Sequence, residues 1–453
     1  GVFLASDPVY VSTYLPDNYS AGQAACKTSI DWSYPSYSGY ITVNETTNSN
    51  TFFWYFPAQS GDADAPTQLW LNGGPGFSSL FGMFNEIGPF YVSSDNFPEL
   101  LPLPYTWNKN VNLVFMDNPV GTGFSYTEAP SGYSTKEEEV ANNLYSAVSQ
   151  FFQLFPNLQN NEFFFSGESY AGKYVPSACY KIWQMSQVAG TTKIPLVGLS
   201  IGDGIMDPQT QTQGIADQAY MFGMFDYNER QVGLTYEAAI EQNIIRGNLV
   251  KAFEYFDEYL NGDFFQYPTF YENVTGLGSY FNFLDPVYPP NPYTAYLNLP
   301  QTQDSIHVRP TIYEHYNKTV ESYLIGDWMR SVAPIMPTLL DNYRVMIYNG
   351  QNDVILGPPP AENFIRTIPW SGQLNFLATP KIIWKVNESD SEPAGYVRQT
   401  GSFVQVVIRD AGHMVPTDQP ARAYDMITRF INNEPFTNQQ LNQNQQSDQE
   451  YKK

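Results

Sequence analysis

Cysteine, basic residues and histidine are scarce in this sequence, and each scarcity excludes a class of protein. Two cysteines among 453 residues, Cys26 and Cys179, allow one disulfide or two free thiols and exclude a disulfide-stapled scaffold. The 22 basic residues stand against 45 acidic ones, so the net charge of −23 would repel nucleic acid and anionic membrane surfaces. The three histidines show no metal-ligand spacing. We therefore predict no nucleic-acid partner, no metal and no cofactor.

Long apolar segments are also missing. No run of eighteen apolar residues occurs, so we expect a soluble chain, attached to a membrane only if it extends beyond Lys453. The sequence begins at Gly1 without a signal-like stretch, and we expect any targeting segment to have been removed or to lie outside it. Five N-x-S/T sequons favour the secretory pathway, with candidate glycans on Asn18, Asn44, Asn273, Asn317 and Asn387. The acidity either attracts cationic substrates or only keeps a secreted protein in solution.

Short apolar runs that end in turn-forming residues dominate the organised part of the chain. Such runs are typical of the strands of a parallel sheet covered on both faces. Helical patterns lie between them, over residues 137–155 and 419–431. The alternation predicts a doubly wound α/β sheet whose loops at the carboxyl ends of the strands form the site. The predicted strands are Gln68–Leu71, Asn112–Met116, Glu162–Phe165, Leu196–Ile201, Arg344–Tyr348 and Ser402–Ile408.

Two segments depart from this rhythm. The first is aromatic-rich and irregular, with helical patches such as 249–260, and we interpret it as an insertion that caps the sheet. The second is an Asn/Gln-rich end that we expect to be disordered. We therefore predict a discontinuous core of residues 1–207 and 338–432, a cap of residues 208–337, and a polar tail of residues 433–453.

The stretch FFFSGESYAG (163–172) raises the central chemical question. An apolar run stops at a small-residue turn that carries Ser169, and a helix-like segment over 174–184 follows. A serine lifted between a buried strand and a helix is how α/β-hydrolases expose a nucleophile. The alternative is an ordinary small-residue turn at a strand end. Glu168 beside this serine is unexpected, since its charge would oppose the negative charge that develops in acyl transfer.

A serine nucleophile needs a base and an orienting acid. His413 follows the strand-like run VQVVIRDAG and precedes a helix, which is where this fold places its histidine. His307 and His315 fall in the predicted cap, so we interpret them as surface or core histidines. Asp353 lies between serine and histidine in chain order, shortly after a predicted strand, and is the candidate acid; alone, it would be an ordinary turn residue.

A glycine-rich turn can supply the groups that stabilise an oxyanion. The NGGPG turn (72–76) brings backbone N–H groups close to a substrate because glycine permits close approach. One of these, together with the N–H of Tyr170, would form an oxyanion hole. The spacings of nucleotide-binding glycine loops are absent, which argues against a phosphate site.

Five motifs in this order resemble the serine carboxypeptidases: WLNGGPGFSS (70–79), DNPVGTGFSY (117–126), GESYAGKY (167–174), NGQND (349–353) and AGHMVP (411–416). The resemblance extends from about residue 31 to residue 432 and implies the α/β-hydrolase fold and removal of C-terminal residues from peptides. It implies that Ser169, His413 and Asp353 are the catalytic triad. The other roles that it implies are oxyanion donors at Gly74 and Tyr170, binding of the substrate carboxylate by Asn72, Gly73, Glu86 and Glu168, support of Glu168 by Trp70, and a substrate pocket that includes Trp70 and, for the departing residue, Met414.

The resemblance also explains Glu168. Two enzyme carboxyl groups and the carboxylate of the substrate would crowd one site, and such crowding raises carboxyl pKa values. A protonated carboxyl can then donate a hydrogen bond to the end of the peptide. Glu168 would thus recognise free C-termini.

Three residues depart from the family pattern. Phe77 stands where many members have cysteine, Lys173 replaces a common histidine, and Asp203 replaces a common asparagine and would add negative charge to the substrate pocket. Acidity, polar tail and sequons together are similar to the prohormone-processing carboxypeptidases of the fungal Golgi, which implies removal of Lys and Arg there. A vacuole, a lysosome or secretion are the alternative locations.

Two other functions stay open. An acyltransferase or esterase would share the triad, and a catalytically inactive hydrolase fold could serve as a binding protein.

Overall fold

A ten-stranded sheet runs through the computed structural model, which describes residues 7–264, 267–285 and 291–436. Its strand order is β1-β2-β6-β3-β7-β8-β9-β12-β11-β10, and β4 and β5 form a separate hairpin. The strands are β1 (Tyr37–Asn44), β2 (Ser49–Phe56), β3 (Thr67–Leu71), β4 (Phe90–Val92), β5 (Leu100–Pro102), β6 (Asn112–Met116), β7 (Phe163–Glu168), β8 (Leu196–Gly202), β9 (Arg344–Gly350), β10 (Ile382–Trp384), β11 (Gly395–Thr400) and β12 (Phe403–Ile408).

The six central strands, from β6 to β12 in the sheet order, are parallel, and antiparallel strands flank them on both sides. These six are the six strands predicted from the sequence. Helices cover both faces of the sheet, so the chain has the predicted doubly wound α/β architecture. The antiparallel edge strands were not predicted.

The helices are α1 (Tyr19–Cys26), α2 (Leu80–Asn85), α3 (Glu137–Leu154), α4 (Ala171–Ser186), α5 (Pro208–Gln211), α6 (Ile215–Met221), α7 (Tyr227–Ile245), α8 (Leu249–Phe256), α9 (Phe270–Thr275), α10 (Tyr293–Leu297), α11 (Pro300–Ser305), α12 (Lys318–Trp328), α13 (Met336–Asn342), α14 (Pro358–Ile365), α15 (Gln373–Ala378), α16 (Val415–Asp418) and α17 (Pro420–Ile431). A π-helical turn (Asp257–Asn261) follows α8. Helices α3 and α4 pack on one face of the sheet, and α2 and α17 pack on the other.

The three phenylalanines of β7 show why the sheet is buried on both faces. Phe163 and Phe165 belong to the core that contains α3 and α4. Phe164 points to the opposite core, where its ring lies 5.8 Å from that of Phe430 on α17. Because side chains alternate along a strand, an unbroken apolar run requires apolar packing on both sides.

The described residues between β8 and β9 contain helices α5 to α13, joined by irregular loops. This agrees with an inserted segment, although the boundaries at residues 208 and 337 stay a prediction. Helix α13 already packs against α4 and β9 of the core.

The carboxyl-terminal end corrects one prediction. Residues 433–436, assigned to a disordered tail, pack on the core: the Phe436 ring lies 5.7 Å from that of Trp384, and Arg429 donates to the Pro435 carbonyl at 2.6 Å. Residues 437–453 lie outside the described residues. None of the helices in the described ranges is long and apolar enough to cross a membrane. Cys26 and Cys179 are both buried and free, so they do not form a disulfide.

Candidate active site

Ser169 occupies a sharp turn between β7 and α4. Its φ of +60° lies in the left-handed region, which L-residues other than glycine rarely adopt. Backbone hydrogen bonds hold this conformation: Ser169 N–H donates to Gly202 at 3.0 Å, and its carbonyl accepts from Gly172 at 2.9 Å and Ile205 at 3.1 Å. The predicted nucleophile therefore stands on the strained turn that its chemistry requires.

The small residues around Ser169 allow this turn to pack closely. A Cβ on Gly167 would lie 2.7 Å from both Ala171 Cβ and the Leu71 carbonyl oxygen. A Cβ on Gly172 would lie 2.6 Å from the carbonyl oxygen of Ile205. Neither space admits a side chain, which explains why the sequence is glycine-rich here.

His413 and Asp353 meet at the carboxyl ends of β12 and β9. His413 Nδ1 lies 2.7 Å from Asp353 Oδ2, and both side chains are buried. Asp353 Oδ1 accepts the backbone N–H groups of Ile355 at 2.9 Å and Leu356 at 3.2 Å. His413 Nε2 has no hydrogen-bond partner among the described residues. With Nδ1 hydrogen-bonded to the acid, Nε2 is the nitrogen that can accept a proton.

Ser169 and His413 line one cleft of about 260 Å³, together with Gly74 and Tyr170. The NGGPG turn lies directly against the serine turn, since a Cβ on Gly73 would be 2.3 Å from Tyr170 N. This contact brings both candidate oxyanion donors to the same cleft. Met414, predicted to line the pocket, also lies on its wall.

Asn72 connects the two carboxyl groups at this end of the site. Its Nδ2 donates to Glu168 Oε1 at 2.9 Å and to Glu86 Oε1 at 3.2 Å. Its Oδ1 accepts from Trp70 Nε1 and from Gly82 N–H, each at 3.0 Å. Trp70 supports Glu168 through Asn72, because the indole donates to Asn72 and Asn72 donates to Glu168. Trp70 is fully buried and does not line the cleft, which corrects its expected place in the substrate pocket.

Both carboxyl groups of this pair resist ionisation. Burial raises the pKa of Glu86, and hydrogen bonds from Glu168 and Asn72 only partly oppose this. Burial and the neighbouring Glu86 raise the pKa of Glu168 well above its usual range. The pair therefore retains protons at pH values where exposed carboxyls have lost them.

Asp203 corrects a second prediction. We expected it to line the substrate pocket, but it is fully buried beside Asp353, and its Oδ1 accepts from Gly350 N–H at 2.9 Å. Burial and the charge of Asp353 raise its pKa well above its usual range. This enclosed carboxyl does not line the cleft, and its raised pKa disfavours a negative charge there.

Several lining residues were not predicted from the sequence, and three of them bear on the chemistry of the cleft. The Phe281 ring stacks on the His413 imidazole with centroids 4.8 Å apart, Trp328 forms part of the wall, and exposed Asp263 is the one carboxylate besides Glu168 among the described lining residues. All three come from the insertion, whose irregular sequence offers no periodicity that would place them. His307 and His315 do not line the cleft; His307 Nδ1 lies 3.3 Å from the Ser38 carbonyl oxygen.

This fold and site define a serine hydrolase with the α/β-hydrolase fold. A serine on a strand-to-helix turn, with a histidine–acid pair beside it at the carboxyl ends of parallel strands, is typical of that class. The family model described as "Serine carboxypeptidase" matches residues 28–433. The chain belongs to the serine carboxypeptidase family and is a serine-type carboxypeptidase.

Relatives in several organisms support the assignment. The "Probable serine carboxypeptidase CPVL" of Dictyostelium discoideum is 42% identical over 95% of this chain and 89% of its own length. The human protein of the same name is 44% identical over 87% of this chain and 83% of its own. The venom serine carboxypeptidase of Apis mellifera is 42% identical over 88% and 85%.

One solved structure supports the fold. A prohormone-processing carboxypeptidase from Saccharomyces cerevisiae superposes with a TM-score of 0.74 at 23% identity, covering 91% of this chain and 96% of that one. At this identity the likeness supports the fold alone.

Proposed function

We propose that Ser169, His413 and Asp353 are the catalytic triad of this carboxypeptidase. The 2.7 Å contact between His413 Nδ1 and Asp353 carries the proposal, because it leaves Nε2 as the base in the cleft that Ser169 also lines. Ser169 Oγ would attack the carbonyl carbon of the last peptide bond while Nε2 takes its proton. That proton would pass to the departing amino acid, and water would then hydrolyse the acyl-enzyme. The N–H groups of Gly74 and Tyr170 would stabilise the oxyanion.

We also propose that the end of the cleft at Asn72 recognises the free carboxylate of the substrate. Gly73 brings backbone to this point, and Glu86 and Glu168 lie within hydrogen-bond distance of one amide. A protonated Glu168 would donate a hydrogen bond to the peptide carboxylate, as an ionised one would not.

Replacing the nucleophile tests the triad. Ser169→Ala should lower the turnover of blocked peptides with free C-termini by at least about 10⁴-fold, whereas Ser186→Ala, at the exposed end of α4, should not. An organophosphate should label wild-type Ser169 stoichiometrically. Undiminished peptidase activity in Ser169→Ala would overturn the assignment. Absence of labelling would favour an inactive binding protein, and turnover of esters without peptides would favour the acyltransferase or esterase.

We further propose a preference for C-terminal Lys or Arg. Its support is the net charge of −23 and the exposed Asp263 on the wall of the cleft. The surrounding protein and the neighbouring Asp257 raise the pKa of Asp263 to about 6, so the contact requires a pH above that value. A charge-assisted hydrogen bond to this carboxylate, once the substrate shields it from water, contributes roughly 1.5–3 kcal/mol, or about tenfold to a hundredfold in kcat/KM. Asp203 no longer supports the preference, and the apolar side chains of Phe77, Phe81 and Phe281 would favour Leu or Phe instead.

Salt dependence separates a pocket contact from long-range attraction. Release of Lys, Arg, Leu and Phe from otherwise identical peptides is measured at low and high salt for wild type and Asp263→Asn. Steering by the whole surface fades with salt, whereas a contact with Asp263 largely survives salt and disappears in the variant. If Leu or Phe leaves as fast as Lys and Arg at both salts, the basic preference fails.

We place the protein in the secretory-pathway lumen, with the Golgi favoured. Four sequon asparagines, Asn18, Asn44, Asn273 and Asn387, are exposed and accessible to glycans. Asn317 is half-buried, and its Nδ2 donates to the Gly121 carbonyl at 2.7 Å. Secretory expression followed by glycosidase treatment should lower the mass through the four exposed sites. An unchanged mass would contradict this location.

A further inference from the structure

We infer that Lys173 is a positioning residue that fixes the wall of the substrate cleft formed by Trp328. The inference rests on the assignment of Ser169 as nucleophile and adds a residue that determines specificity. Lys173 lies on α4, four residues after Ser169, and its side chain is fully buried. It is a family departure that the triad and the carboxylate site leave unexplained.

The Lys173 ammonium joins the nucleophile helix to the end of α12. Nζ donates to the Asp327 and Trp328 carbonyl oxygens, the latter at 3.3 Å, and lies 3.2 Å from Asp327 Oδ2. It also lies 3.3 Å from Tyr170 Oη. The last carbonyls of a helix lack partners within the helix and carry partial negative charge, so a lysine there is a favourable cap.

Asp327 is itself held from two other directions. Its Oδ1 accepts from Arg330 Nε at 3.0 Å, and its Oδ2 accepts from Glu137 N–H at 3.2 Å. Burial lowers the pKa of Lys173, while Glu137 and Asp327 act to raise it. The end of α12 is thus fixed by a buried ion pair rather than by apolar contacts alone.

The wall that this pair positions is the indole of Trp328. It packs against Tyr170, with centroids 5.6 Å apart, and against Phe253 and Phe256 at 5.6 and 5.0 Å. The proposed carboxylate site has other neighbours: Asn72 hydrogen-bonds to Trp70, Gly82 and the two glutamates, and none of these contacts involves Trp328. With the substrate carboxylate bound there, the residue before the scissile bond would face Tyr170 and Trp328. Lys173 therefore sets the shape of the pocket for that residue.

The stability of the fold alone does not explain a buried lysine at position 173. Replacing a buried ion pair by apolar groups of similar volume is often neutral or stabilising. A buried ammonium that caps the helix bearing the pocket wall, and also contacts the residue after the nucleophile, points instead to positioning.

The test uses blocked dipeptides that end in Leu and carry Phe or Ala before it. An organophosphate titration counts active sites in each variant. If the wild type is not labelled, the assignment of Ser169 as nucleophile fails, and this outcome is distinct from failure of the inference about Lys173. Lys173→Met should lower the Phe-to-Ala ratio of kcat/KM per active site about tenfold, the scale of discrimination by an apolar pocket. The matched control is Lys181→Met on the same helix.

A general loss of folded protein would lower kcat/KM for the two substrates by the same factor and leave their ratio unchanged. An unchanged ratio in Lys173→Met would overturn the inference. If that variant does not fold, Asp327→Asn is used instead. It keeps the contacts of Lys173 with the two backbone carbonyls and the volume of the side chain at position 327. It should lower the Phe-to-Ala ratio of kcat/KM about threefold, because the end of α12 is held less firmly. An unchanged ratio in Asp327→Asn would then overturn it.

Discussion

A proton held by the Glu86 and Glu168 pair decides, in our proposal, whether the site can accept a peptide carboxylate. The two carboxyls share the amide of Asn72, and burial disfavours charge on both. Burial raises the pKa of Glu86 to about 7. Binding should therefore weaken as pH rises through neutrality, when the pair loses its proton and the three carboxylates repel one another.

Glu168→Gln tests this at the level of one residue. An amide donates a hydrogen bond at every pH, so KM for peptides should stay nearly constant from pH 5 to pH 8, whereas the wild-type KM should rise several-fold. Steady-state kinetics on one peptide across this range measures both. A KM profile in Glu168→Gln that matches wild type would remove Glu168 from carboxylate recognition.

The positions of candidate site residues were predictable where the chain itself dictates them. Ser169, Asp353 and His413 follow apolar runs that become parallel strands, and such strands present their carboxyl ends together. The direction of a side chain is not encoded in the same way. Trp70 and Asp203 both lie in or beside a motif, yet the former bonds Asn72 and the latter is buried beside Asp353.

At the scale of elements, the contact between the NGGPG turn and the turn that carries Ser169 matters most for the candidate oxyanion hole. The Gly73 backbone approaches Tyr170 N and the Glu168 carbonyl so closely that a Cβ would lie 2.3 and 2.9 Å from them. Both contacts are with backbone, which cannot move aside as a flexible side chain can. This closeness sets the distance between the two candidate oxyanion donors.

Gly73→Ala should therefore displace the turn. Displacing one oxyanion donor should lower kcat by about 10²–10³, while the organophosphate still labels Ser169 slowly. Gly278→Ala is the control, because a Cβ there meets no heavy atom within 4 Å. Wild-type kcat in Gly73→Ala would show that the turn is not part of the catalytic site.

Elements were predictable in the centre of the sheet and not at its edges or in the insertion. Central parallel strands are buried on both faces and appear as apolar runs. Strand β11, GYVRQT, mixes polar and apolar residues, and β10 has only three residues. The insertion places Asp263, Phe281 and Trp328 in the cleft through tertiary packing, which no local period encodes.

For the whole molecule, buried carboxyl groups predict stability in acid. Among the described residues, burial raises the pKa of nine carboxyl groups: Glu86, Asp117, Glu137, Glu168, Asp203, Glu237, Asp263, Glu321 and Asp418. A raised pKa in the folded state means that unfolding becomes easier as pH rises through that value, since the unfolded chain loses its protons first. Burial lowers the pKa values of His307 and His315, so these two residues destabilise the folded state as pH falls. Their effect is opposite to that of the carboxyls and is confined to pH values below about 6.5.

The midpoint temperature of thermal unfolding should therefore be several degrees lower at pH 8 than at pH 5.5. The rise in net negative charge acts in the same direction. Calorimetry or circular dichroism at the two pH values and constant ionic strength measures the difference. A midpoint that is equal or higher at pH 8 would show that these carboxyls ionise in the folded protein at little cost.

Recognition of a free C-terminal carboxylate is the central claim, and one comparison tests it most directly. The kcat/KM of wild type is measured at pH 5 for a blocked peptide and for the same peptide with a C-terminal amide. Loss of one or two charge-assisted hydrogen bonds to the carboxylate should lower kcat/KM for the amide by about tenfold to a thousandfold. Comparable kcat/KM values for the two substrates would contradict the account, because Asn72, Glu86 and Glu168 would then contribute nothing to recognition of the carboxylate.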